Sequence, residues 1–174
     1  MRTLDIGGTM TVALSLTVAI AGCRASVTGT QAAIPRHAIV LARFRNDSTA
    51  FSMYSGLGDS VRLVVRDSRQ WGEYWRRINS PFFPPPAQPP IDFAREMVVV
   101  AALGRRPSLG YDIVIDSAAR DSAGIAVYLR RSNPGARCPL PAALTQPVDL
   151  ARMPASDLPL RFTELISTIP CGEH

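Results

Sequence analysis

Residues 97–103 read MVVVAAL. The run is short and apolar at every position, the pattern of a central β-strand buried on both faces. Residues 104–110 (GRRPSLG) follow as a glycine-bracketed turn. Tyr111, Ile113 and Ile115 then alternate with Asp112 and Asp116, which predicts a second strand. Residues 117–124 read as another turn. Ile125, Val127 and Leu129 form one face of a third strand, which Asn133, Pro134 and Gly135 end. The last strand candidates are residues 148–153 and 160–169.

Upstream, Val61, Leu63 and Val65 share a face opposite Arg62 and Arg66, a half-buried strand. Residues 37–45 are strand-like, and residues 46–59 are turn-rich, with Gly56 and Gly58. Asp67 and Ser68 are the candidate N-caps of a helix over residues 69–79. Trp71, Trp75 and Ile78 fall on one helical face, and Glu73 stands four before Arg77, the favourable order for a helical ion pair. A tryptophan pair on one face suits core packing better than a ligand platform. Residues 81–90 (PFFPPPAQPP) hold six prolines. Neither a helix nor a central strand tolerates that, so the segment reads as a rigid connector of polyproline type. Tight turns without helical crossovers imply a largely antiparallel sheet. The expected fold class is α+β, mainly β: antiparallel sheets in a two-layer arrangement, either a sandwich or a sheet with one short helix against it.

The first 22 residues have a different character. Arg2 is followed by an apolar run over residues 10–21 (MTVALSLTVAIA), within the roughly 7–15 residues of a signal h-region. The run ends at Ile20-Ala21-Gly22-Cys23. Small residues before a cysteine resemble the lipobox of bacterial lipoproteins, with lipid attached at Cys23. An ordinary secretory signal is the alternative. Residues 1–22 are then a signal peptide, residues 23–35 a small, polar tether, and residues 36–174 one β-rich domain. Cleavage leaves 174 − 22 = 152 residues, enough for a real core. Arg24, in place of an aspartate after the lipid cysteine, favours outer-membrane delivery over retention at the inner membrane.

Cysteine usage agrees with export. Three cysteines are an odd number for an exported chain. Lipid on Cys23 leaves Cys138 and Cys171 to pair, closing a loop worth about 3.8 kcal/mol in the chain-entropy model. Two free buried thiols are the alternative. All 19 basic residues are arginine, a bias that a GC-rich genome explains. The arginine pairs are scattered and interleaved with acids, unlike a nucleic-acid surface, and no nucleic-acid partner is expected.

Motif chemistry is sparse. The two histidines are His37, beside the tether, and His174, at the terminus, so a triad is not assembled. No GxSxG, HExxH or P-loop pattern occurs. Asp112 and Asp116 would stand about 13 Å apart along a strand, wide for paired glycosidase carboxylates. Neither an enzyme, a metal site nor a cofactor is expected.

One resemblance emerges from the order of motifs. Residues 91–100 (IDFAREMVVV), then Leu103-Gly104-Arg105-Arg106-Pro107-Ser108-Leu109-Gly110-Tyr111, are similar to the protease complex subunit PrcB family. Trp71 and Trp75 resemble its upstream tryptophan segment. Pro134, Gly135, Cys138 and Ala143-Leu144-Thr145-Gln146-Pro147 resemble its downstream segment. The likeness runs over about residues 66–153. Leu109 departs from the family's glycine, and Val148 from its aromatic residue. The resemblance implies a non-catalytic lipoprotein partner of a secreted protease, which stabilises that enzyme or helps it mature.

The residues themselves add a candidate surface. Gly104 and Gly110 bracket a segment with Arg105, Arg106, Pro107, Ser108, Leu109 and Tyr111, presented between two core strands. Such loops on rigid strands commonly carry recognition. The expectation is an accessory or binding lipoprotein, anchored to the membrane by lipid, with a protein partner. The alternatives are a structural envelope lipoprotein without an enzyme partner, and an inhibitor-like binder using residues 104–111.

Overall fold

A computed structural model describes residues 37–44 and 53–172. The signal segment 1–22, Cys23, the tether 23–35 and His174 lie outside the described residues. The described residues belong to a single unit, Ile34–His174.

The apolar run becomes β4 (Glu96–Ala102), and its residues 97–102 are all buried. Because successive side chains leave a strand on opposite faces, one strand feeds two cores. Met97, Val99, Ala101 and Leu103 face one cluster; Val98, Val100 and Ala102 face the other. β4 lies inside a four-stranded sheet of order β2 (Ala42–Arg43), β9 (Val148–Pro154), β4 and β3 (Val61–Val65), antiparallel throughout. A second four-stranded sheet has the order β1 (Ala38–Ile39), β6 (Asp112–Asp121), β7 (Gly124–Pro134) and β10 (Leu160–Ile169). Ile113, Ile115, Ile125, Val127 and Leu129 of this outer sheet meet the odd-numbered face of β4. A short ribbon joins β5 (Arg106–Ser108) to β8 (Ala142–Thr145).

The other face of the inner sheet takes the helix. α1 (Ser68–Ile78) begins at Asp67, whose carboxylate accepts the Gln70 N–H at 2.8 Å, a cap worth about 1 kcal/mol. Trp71, Trp75 and Ile78 are buried against Val98, Val100, Val148 and Leu150. Arg76 and Arg77 in the last turn suit the negative end of the helix dipole. Arg77 lies over the Tyr74 ring at 5.5 Å, and no Glu73–Arg77 bridge forms among the described residues. The proline segment runs over the helix as a strap. Its Pro89 and Pro86 carbonyls accept the indole N–H groups of Trp71 and Trp75, each at 3.0 Å. Burying an indole without such a partner costs stability, so strap and helix are matched.

The fold class is as expected, with one refinement. The sandwich and the sheet-plus-helix are both present, on opposite faces of the inner sheet, giving three layers. Three local departures have physical reasons. Residues 37–45 do not form one strand: β1 pairs β6 in the outer sheet and β2 pairs β9 in the inner one, so the chain changes sheets at Val40 and Leu41. Residues 117–121 are strand, not turn. A β-bulge between Ile115 and Ser117 shifts the inward phase, so Ala118 and Ala119 are the next buried positions. Asp112 and Asp116 are both exposed, on the side away from the buried Ile113 and Ile115. Finally, β7 and β10 are parallel over their whole length, because the chain between them detours through β8 and β9.

Candidate functional site

Gly104 turns the chain out of β4 with φ 73°, a left-handed conformation that glycine adopts without cost. It is also packed: a Cβ there would stand 2.8 Å from the Asp59 carbonyl carbon and 2.9 Å from the Gly58 oxygen. The Arg105 N–H donates to that Gly58 oxygen at 3.0 Å. β5 then pairs with β8, and the Thr145 hydroxyl donates to the Ser108 carbonyl at 3.0 Å. Arg106 folds back, donating to the Leu103 carbonyl at 2.8 Å with its guanidinium over the Tyr111 ring. Tyr111 itself packs on the sandwich core.

The segment 104–111 is thus a pinned ribbon at the rim. Of the six residues singled out there, Arg105 and Pro107 are exposed, while Arg106, Ser108, Leu109 and Tyr111 are half-buried. The left-handed backbone of this turn falls on Gly104 and Gly110 (φ 88°). Leucine at 109 is accommodated beside them.

The downstream motif does structural work at the same rim. Thr145 is buried and holds β5. The Gln146 N–H donates to the Met53 carbonyl, and the Gln146 carbonyl accepts both the N–H and the hydroxyl of Ser55. The Pro147 carbonyl accepts the Leu103 N–H at 2.9 Å. Val148, where an aromatic residue was expected from the resemblance, is buried on the helix side. The sequence marks this motif but not the segment around Ser55 that it anchors. The signal was weak, since Ser55 and Gln146 are 91 residues apart.

Cys138 and Cys171 are joined by a disulfide, with Cα atoms 5.0 Å apart. It ties the chain leaving β7 to the end of β10, next to the Gly135 N–H that donates to the Ile169 carbonyl.

Two ion pairs seal the sandwich edges. Arg62 of β3 reaches Glu164 of β10 at 2.5 Å. On the other side Asp149 of β9 accepts Arg43 at 2.8 Å and the Ile115 N–H at 2.7 Å, and Arg43 also donates to the Ile115 carbonyl. Burial pushes the Asp149 carboxyl above its ordinary value, against the opposing pull of the Ile115 N–H and Arg43. Asp149 thus supplies the N–H partner that β6 lacks beside its bulge. Nothing in its sequence context singled it out.

Among the described residues acid–base groups do not converge. His37 offers its carbonyl to the Arg120 N–H. Asp112 accepts its own neighbour's N–H at Ile113, and Asp116 pairs with Arg130 at 3.3 Å. Among the described residues no three His, Cys, Asp or Glu gather as metal ligands. A cleft of about 350 Å³ on the outer sheet is lined by Asp116, Ser117, Tyr128, Leu129, Arg130 and Leu165. A second, of about 600 Å³, lies between Arg43, Arg152 and the strap at Pro89 and Pro90.

The region from β4 to β9, with its rim ribbon, is what a comparison with known families recognises. Residues 97–154 match the PrcB C-terminal family. The PrcB C-terminal match takes in strands of both sheets and the whole β5–β8 ribbon. The tryptophan helix and β10 fall outside it, so the likeness seen in residues 66–96 extends beyond the match. No curated protein and no solved structure matches the chain.

Proposed function

We propose that this chain is a non-catalytic accessory lipoprotein of the cell envelope that binds and stabilises a secreted protease. The observation that carries this reading is the PrcB C-terminal match over residues 97–154, a family of protease-complex subunits. The scattered acid–base groups support a binding role over a chemical one. Residues 1–22 act as the signal peptide, Cys23 carries the lipid, residues 23–35 are the tether, and residues 36–174 form the presented domain. The outer membrane is the destination that Arg24 favours. The rim ribbon presents Arg105 and Pro107 to the partner. Its pinning to β8 argues against a free inhibitory loop inserted into a protease cleft.

Crosslinking and pull-down from native membranes tests the reading. A stoichiometric secreted protease is the expected partner, and its level should fall when this chain is deleted. Repeated empty pull-downs, or envelope defects with every secreted protease at its normal level, would favour a purely structural lipoprotein instead. Incorporation of labelled fatty acid that Cys23→Ala abolishes tests the anchor separately.

A further inference from the structure

β10 ends the outer sheet, and among the described residues no strand lies beyond it. The direction of its free groups follows from two bonds. The Ile169 carbonyl accepts the Gly135 N–H, and the Pro159 carbonyl accepts the Ile125 N–H, so odd-numbered residues turn their polar groups toward β7. Neighbours along a strand alternate in this respect. Leu160, Phe162, Glu164, Ile166 and Thr168 therefore aim their N–H and C=O groups at the open edge.

Exposed edges are usually blunted by free charges, proline or a bulge. Residues 160–169 (LRFTELISTI) hold no proline, and the ladder to β7 has no register shift. The edge charges are engaged inside the molecule: Arg161 with Asp121, and Glu164 with Arg62. Residues 165–169 are uncharged, and Leu165 and Ile166 stand 68% and 56% exposed on its two faces. The opposite edges of the two sheets, by contrast, are the two-residue strands β1 and β2.

We propose that this edge pairs with β10 of a second copy, antiparallel, about a twofold axis at Leu165. β10 is itself the strand its edge accepts: extended, uncharged over 165–169 and apolar on both faces. The register follows from sterics and charge. Bonding groups sit on even-numbered residues, so even must face even. An axis at Glu164 would oppose two carboxylates, which destabilises a pair. An axis at Leu165 places Glu164 against Ile166 of the second copy and Phe162 against its Thr168, using residues 161–169 of each strand. An axis at Ile166 uses residues 163–169. At the Leu165 axis the two leucines meet in a non-hydrogen-bonded site, where side chains approach most closely, and Thr163 meets Ser167. The two outer sheets become one continuous mixed sheet, an isologous arrangement.

The test uses the full chain. In a Cys23→Ser background, Leu165→Cys should form a covalent dimer on mild oxidation, while Thr168→Cys and the background itself should not, since Thr168 faces Phe162. Sedimentation equilibrium should show a monomer–dimer equilibrium that Leu165→Lys weakens about tenfold or more, with the circular dichroism unchanged. Leu165→Thr, which keeps strand propensity, should weaken it less. A chain that stays monomeric and uncrosslinked, a dimer indifferent to Leu165→Lys, or a Leu165→Cys that crosslinks to a different protein would each overturn the proposal.

Discussion

The two faces of β4 build cores of different kinds. Toward the outer sheet, the fully buried side chains are aliphatic, methionine and alanine, interdigitated between sheets, with the rings of Tyr111 and Phe162 and the polar fittings at the periphery. Toward the helix, the cluster centres on rings: Trp71 and Trp75 lie 5.2 Å apart and Phe44 5.3 Å from Trp71. Rings bury more area but bring N–H groups that need acceptors. The strap supplies these, so a loop the sequence marks as unable to join a helix or central strand becomes part of the core. One strand thus joins a core that depends on shape alone to one that also depends on two hydrogen bonds.

The contrast can be broken from the helix side first. Trp71→Ala should cost about 3–5 kcal/mol by urea denaturation, the largest single effect expected. Trp71→Phe should recover much of that, and a residual loss of about 1 kcal/mol would measure the bond to Pro89. On the sandwich side, Cys138→Ser should cost about 2–4 kcal/mol, because the disulfide spans a sequence separation of 33. Val99→Ala and Val100→Ala empty one core each and should cost about 1–2 kcal/mol apiece. Pointing to opposite faces, the two losses should add within about 0.5 kcal/mol in the double variant. A strong departure from additivity would mean that the cores are not separate.

The smallest effect is in pH. Asp149 has its folded pKa raised above 3.8, so its contribution to stability grows as pH falls through that folded value and is unfavourable above it. Asp121, lowered by its hydrogen bond to Arg161, acts oppositely: its contribution is present above 3.8 and is lost as pH falls through its folded pKa. Carboxyl carbon shifts followed by NMR should show the two midpoints on opposite sides of 3.8. A low Asp149 midpoint would remove the claim that burial governs it.

Much of this arrangement is legible in the chain because single positions decide it. The unbroken MVVVAAL run specifies a strand buried twice, and the spacing of Trp71, Trp75 and Ile78 specifies the helix face. β10 is legible at its full extent, and the odd cysteine count pairs Cys138 with Cys171. The rest depended on partners distant in sequence. Alternation over residues 37–45 is the same whether a strand joins one sheet or the other. One extra residue at Asp116 inverts the phase and makes a strand look finished. The position of the rim segment is legible but its pinning is not, since β5 contains Pro107 and its partner β8 is too short to announce itself. The antiparallel expectation missed β7–β10 because nothing local records where a detouring chain returns.

The pairing of indoles with strap carbonyls also determines what light can report. The chain has two tryptophans, and both sit in the helix-side core. Intrinsic emission is therefore a gauge of one layer, blind to the packing between the sheets. Far-UV circular dichroism is dominated by the strands. If the two signals lose their native values at the same urea concentration, the three layers unfold as one body. If emission changes first, the helix and strap peel away and leave the sandwich standing.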